Sequence, residues 1–446
     1  MATLFSYGGK NTVIDQHQKE TFLQEIIQKI IEKHGAQPKR ILLLPPDMTR
    51  FHSDAGNLTE ILYQQLAPQA HIDIMPTIGT HFPMIAGEIR KMFGTEIPLD
   101  HFKVHDWKNA VKVLGEVPAA KIREFSEGAL EYPMQVAVNT ILFDGKYDLI
   151  LSIGQIVPHE VIGMANYTKN VCIGVGGRDL INKSHFLGAV YGMEKIMGRI
   201  NTPVRKAINY AFDTFLRALP IYFLMTVMQK KETMLVMRGL YCGDDDETFR
   251  MAATLSQQVN LDLLDEPLDK VVVYLDPIEF KSTWIGNKAI YRLRMVMADH
   301  GELIILAPGL KEFGEDPEND RLIRKYGYHG APATLNAVQE NVELQRSLGA
   351  AAHLIHGSSE GRFNITYCPG PDISRAAIET AGFTYRAYAD MQPKYNPETL
   401  KDGWNILPDG EKIFYVSNPA LGLWALKRQF EANSPPTPLF LEKRGV

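Results

Sequence analysis

Cysteine is scarce: Cys172, Cys242 and Cys368 are the only three in 446 residues, far apart and without a CxxC pair. A disulfide framework needs more of them and a zinc knuckle needs them closer, which leaves buried thiols of a reducing compartment. Excess charge of one sign is missing too. With 47 Lys+Arg against 52 Asp+Glu, the net charge of −5 gives no broad electrostatic footprint for nucleic acid. The longest membrane-like run, Leu219 to Met228, is too short to span a bilayer and contains Pro220, so it reads as core. The opening MATLFSYGGKN lacks the basic and apolar regions of a secretory leader, and no repeat or low-complexity tract occurs. These absences predict a soluble, cytoplasmic chain whose partner is a small molecule, with no nucleic acid and no membrane.

What is present is enough apolar residue, 45%, to bury a core in each of two or three domains. Short apolar runs alternate with helical periodicity, the pattern of an α/β fold. Strands are expected at 40–45, 71–76, 147–153, 233–238, 271–275, 303–307, 352–355, 364–368 and 413–416. Helices are expected at 19–33, 56–66, 202–217, 246–258 and 334–347, with a last one from Pro419. The reading is two α/β domains with mostly parallel, Rossmann-like sheets, 1–266 plus 414–446 and 267–413, and an active-site cleft between them. The Pro-rich tail from Ser434 is expected along the surface or at a subunit contact, which leaves a homo-oligomer open.

Four loops after expected strands gather unusual polar residues. PPDMTRF carries Asp47, Thr49 and Arg50, GTHFP carries His81, GQIVPHEVIGMANYTK carries His159 and Lys169, and NKSHF carries His185. One such histidine is ordinarily structural. Several imidazoles beside a guanidinium and an ammonium at one sheet edge suit acid–base work on an anionic substrate. GVGGR at 174–178 fits neither a dinucleotide nor a P-loop pattern. DDDET at 244–248 reads as a helix cap.

Taken in order, DxTR at 47–50, Gly79-x-His81-x-Pro83, and His159 ten residues before Lys169 and 26 before His185 resemble one family. It is the nickel-pincer-nucleotide-dependent lactate racemases and their 2-hydroxy-acid racemase and epimerase relatives. The resemblance implies a pyridinium-derived mononucleotide that holds nickel in a sulfur–carbon–sulfur pincer, supplied by cofactor-maturation enzymes. It implies Lys169 as the tether, His185 as nickel ligand, and Asp47 and Thr49 beside the cofactor. His81 and His159 would be the two acid–base residues of a hydride-transfer C2 inversion. Arg50 would hold the substrate, with Lys288 of TWIGNKAIY in the place of the family's substrate lysine.

The sequence departs from lactate racemases where substrate is expected. The family's Gln is Ile285, the Arg after the loop histidine is Phe82, and Gly-Gly-Arg before the tether is Asn166-Tyr167-Thr168. No counterpart of the family's tryptophan is evident in the second block. These changes predict a 2-hydroxy acid other than lactate. HGSSEGRF, with His356, Ser358, Ser359, Glu360 and Arg362, suits a polyhydroxylated tail such as an aldonate's, whereas Phe82, Trp284 and Ile285 suit an aliphatic or aromatic acid. A metal-dependent hydrolase using His81, His159 and His185 as ligands is the alternative from another class. His105 has no assigned role.

Overall fold

The computed structural model describes residues 3–231, 234–420 and 422–432, so the expectation for the tail from Ser434 lies outside the described residues. The fold is α/β with two six-stranded, parallel-rich sheets. In the first, the order is Thr3–Gly8, Met234–Gly243, Ile221–Lys231, Leu149–Gln155, Arg40–Leu44, His71–Ile74. The last four strands are parallel and the first two join antiparallel. Central strands buried on both faces explain the continuous apolar runs. Leu42, Leu44 and Ile150 pack into one layer of core, and Ile41, Leu43, Leu149 and Leu151 into the opposite one.

Helix ends follow sequence chemistry. Asp15 caps Gln16–His34 in a capping box with Gln18, Gly35 ends it at φ 71°, and Leu23, Ile26 and Ile30 form its buried stripe. Asp245 caps Asp246–Asn260 by accepting the Thr248 amide at 2.9 Å, as DDDET implied.

The second sheet runs Thr384–Tyr385, Asn364–Pro369, Met297–Ala307, Leu268–Tyr274, Lys412–Val416, Gly403–Ile406, with only the last strand antiparallel. The expected boundary at 413/414 falls inside Lys412–Val416, a strand that belongs whole to this sheet. The chain then returns as Leu423–Leu426, which pairs in parallel with Leu261–Leu264 in a two-stranded ribbon.

Several expectations are corrected. Residues 352–355 are not a strand but part of the helix Leu348–His356. The helix expected over 334–347 breaks at Asn341 into Ala331–Glu340 and Val342–Arg346. The helix expected from Pro419 is a strand followed by the short helix Lys427–Ala432. The buried 219–228 run is the core of the long strand Ile221–Lys231. Among the described residues, no helix is long and apolar enough to cross a membrane.

Candidate active site

In the first sheet, Arg40–Leu44 lies between His71–Ile74 and Leu149–Gln155, all parallel. Loops leaving the carboxyl ends of these three strands therefore share one edge, at a point where the strand order reverses. The bridge Pro46–Thr77 extends the first pair beyond the sheet. This edge brings the Asp47, His81 and His159 loops together.

Asp47 is buried and caps the turn Met48–Ser53. Its Oδ1 accepts the Thr49 amide at 3.1 Å and the Thr49 hydroxyl, and its Oδ2 lies 2.7 Å from His81 Nδ1. Burial alone would raise this carboxyl, but His81, Thr49 and Arg50 hold it below the ordinary Asp range. The ionised oxygen takes the Nδ1–H of His81, so in the neutral ring Nε2 is the lone-pair nitrogen, turned outward on a half-exposed side chain.

The His81 loop is held by the Gly79 amide donating to the Gly174 carbonyl at 2.8 Å. A Cβ on Gly174 would lie 2.3 Å from the Asn170 carbonyl oxygen and 2.6 Å from Thr77 Cβ. The glycines of GVGGR thus permit close loop packing. His105, buried beneath, donates from Nε2 to the Gly176 carbonyl at 3.1 Å and accepts Asn139 Nδ2 at 3.0 Å. Its role is structural.

His159 is built the other way. It sits buried on the hairpin Pro158–His159/Gly163–Met164, and its Nδ1 accepts the Val161 amide at 3.1 Å. The neutral ring therefore carries its proton on Nε2. Burial pushes its pKa well below the usual histidine value, against the pull of Glu160.

His185, on the helix Arg178–Tyr191, donates from Nδ1 to the Ile181 carbonyl at 2.6 Å and leaves Nε2 bare. Burial brings it down to about 4, so it is a neutral imidazole. Lys169 is pushed down to about 8, first by burial and then by Arg50. His185 senses the charges of Lys169, Glu160 and His81, which places these groups around one centre. A histidine fixed through Nδ1 with a free Nε2 is suited to ligate one metal. Among the described residues, no three His, Cys, Asp or Glu side chains converge on a metal position. The tripod that a hydrolase would need from His81, His159 and His185 is not formed. A metal beside His185 would take most of its donors from a bound group, which is how the residues fit a pincer cofactor.

The second sheet contributes the opposite wall. A cleft of about 460 Å³ is lined by Thr49, Arg50 and Gln155 on one side and by Glu279, Lys288 and Ala420 on the other. Lys288 is also brought down to about 8 by burial and by Arg50. Trp284 and Ile285 are not in that lining. Trp284 stacks on His353 at 4.3 Å and Ile285 packs against the second-sheet core.

Residues 7–197 match the family model of the lactate racemase N-terminal domain. The chain is therefore similar to lactate racemases over residues 7–197 of its 446. Its fold is shared with a protein from Thermotoga maritima, at 24% identity and TM-score 0.79 over 94% of this chain and 100% of that one. It is shared also with the lactate racemase apoprotein from Thermoanaerobacterium thermosaccharolyticum, at 14% identity and TM-score 0.68 over 91% and 92% of the two chains.

The departure at 166–168 has a physical reading. Asn166 and Tyr167 stand at φ 64° and 59°, conformations natural to glycine. A Gly-Gly pair would take these conformations without a side-chain penalty. Tyr167 compensates by stacking on Phe249 at 5.0 Å. Arg205, from the helix Pro203–Phe215, donates to the Met164 and Asn166 carbonyls and to Thr168 Oγ1 at 2.6–3.2 Å. A guanidinium from another element thereby braces the segment where the family's own arginine is absent.

Residue reasoning missed Glu160 and Arg292. Burial would raise the Glu160 carboxyl, but His159, Arg292 and Arg50 hold it far below the usual range. Its only sequence signal is adjacency to His159. Arg292 lies one helical turn after Lys288 in Lys288–Leu293, a spacing that could have marked it.

Proposed function

We propose that this protein is a racemase or epimerase that inverts C2 of a 2-hydroxy acid other than lactate, with a nickel-pincer nucleotide tethered to Lys169 and ligated by His185. The observation that carries this reading is the pairing of a buried lysine near pKa 8 with a neutral histidine whose Nε2 is bare. An amine near neutrality can lose its proton and form an amide-type bond, which an ordinary solvated lysine resists. When bound, the cofactor supplies a reversible hydride acceptor.

The chain's own residues do the rest. Arg50 and Lys288, facing each other across the cleft, hold the substrate carboxylate by charge-assisted hydrogen bonds. His81, oriented through Nδ1 by Asp47, offers Nε2 to a hydroxyl proton. His159 presents Nε2–H. Asp47 and Thr49 are engaged with each other and with His81, so they act as positioning residues. The cofactor-maturation enzymes are the expected protein partners.

The test is intact-protein and peptide mass spectrometry with nickel quantification on protein produced together with those enzymes. A nucleotide adduct on Lys169 and about one nickel per chain, the single metal ion that one pincer and one imidazole hold, are expected. An unmodified Lys169 in such protein overturns the proposal.

A further inference from the structure

The polar groups of HGSSEGRF are already spent within the second sheet. Ser358 donates to the Ile355 carbonyl at 3.1 Å and to Glu360 at 2.8 Å, and Glu360 accepts the Ala331 amide at 3.0 Å. Arg362 is taken by Asp299 at 2.9 Å and Glu194 at 3.1 Å. His356 keeps its Nε2 buried and unpartnered. Arg292, 2% exposed, likewise has Nε and Nη1 without a partner, and so does Asn287 Nδ2.

Arg292 and His356 gather at one place. Arg292 follows Lys288 by one turn on the same helical face, about 6 Å further along the axis. It senses Glu160 and Arg50, while His356 senses Glu160 and His185. His356 meets the ring of Tyr291, the neighbour of Arg292, edge-on at 5.9 Å, so two unsatisfied side chains of the second sheet's helices lie together within electrostatic reach of the buried Glu160 carboxylate of the first. Buried unmet donors are costly, so the arrangement calls for a partner.

Resting on the 2-hydroxy-acid reading, we infer that Arg292, Glu160 and His356 form a subsite for the hydroxyl-bearing tail of a polyhydroxylated acid. An alcohol both accepts and donates. Its oxygen takes the Arg292 N–H while its proton goes to the Glu160 carboxylate, with His356 for a neighbouring hydroxyl. A second carboxylate meets Glu160 as a like charge, and an alkyl tail leaves every orphan unpaired. Arg50 and Lys288 remain for the C1 carboxylate one turn nearer the mouth.

The experiment is calorimetric binding of gluconate, malate, 2-hydroxyhexanoate and lactate to the full-length protein, in wild type, Arg292→Met and Glu160→Gln. Wild type is expected to bind gluconate about tenfold or more tighter than malate or 2-hydroxyhexanoate. Either variant is expected to weaken gluconate about tenfold, the scale of one charged hydrogen bond, and at least about fivefold more than lactate. Melting temperatures establish that each variant folds, and Glu160→Gln carries the test if Arg292→Met does not. Tighter malate, no preference among the acids, or equal loss for gluconate and lactate overturns the subsite. C2 inversion of the same acids by nickel-loaded wild type separates the two readings. Inversion of another acid with gluconate untouched overturns the subsite alone, and no inversion of any acid overturns the racemase reading.

Discussion

The His81 loop and the His159 hairpin lie at the same sheet edge and give the same side chain opposite protonation. His81 is half exposed and leans on a carboxylate, so its outward nitrogen is a lone pair. His159 is buried and leans on an amide, so its outward nitrogen carries the proton. The partner of the inner nitrogen decides what the outer one can do. The backbones differ too. The His81 loop turns left-handed at Gly79, φ 58°, whereas the segment after His159 does so at Asn166 and Tyr167.

Asp47→Asn breaks the comparison most severely. The new amide can donate to His81 Nδ1, which moves the ring proton to Nε2 and makes the two histidines alike. A loss of kcat/KM of about 10³-fold or more is expected, with Lys169 adduct and melting temperature little changed. A variant that stays within about threefold of wild type would show that the Asp47 contact does not set the tautomer.

Acid sharpens the buried side of the contrast. His185 sits at about 4, His353 and His356 at about 3, and His159 well below the ordinary 6.5, each lowered first by burial. These rings stay neutral in the fold but protonate near 6.5 when unfolded. Their contribution is therefore complete above about pH 6.5 and is lost as pH falls through about 4 and then 3. Where such rings are protonated only in the unfolded chain, each steepens the loss by up to about 1.4 kcal/mol per pH unit. Denaturant melts between pH 7 and 4.5 check this, and a flat profile contradicts it.

The mildest change makes the two loops resemble each other. Asn166→Gly removes a left-handed side chain whose buried amide has no partner among the described residues. A gain of about 1 kcal/mol is expected from strain and the orphaned polar group. Destabilisation of that size would mean that the amide holds something in the fold.

The edge that carries the site was legible because three buried parallel strands end in Asp-, His- and Gly-rich loops, and parallel strands must release their loops on one side. Residues 352–355 were not legible as helix. Three apolar residues around His353 fit either period, and the deciding information is the packing of Leu348–His356 on Arg178–Tyr191. A strand there would set His353 and His356 on opposite faces, whereas a spacing of three on a helix keeps them together. Trp284 looked like pocket wall, but its stacking partner His353 lies 69 residues later in the chain. Arg292 and Glu160 acquire meaning only from each other, across two sheets, and no local pattern encodes that.

The ribbon of Leu261–Leu264 and Leu423–Leu426 also sets an order of assembly. The first sheet has all its strands once residue 243 is made, and the second once residue 416 is made. The strand that ties the two crossings together comes later still. During synthesis the first sheet can form while its cleft still lacks the facing wall of Lys288 and Arg292. For that interval Lys169 stands without its opposite wall, and the interval ends when the last strand of the ribbon docks.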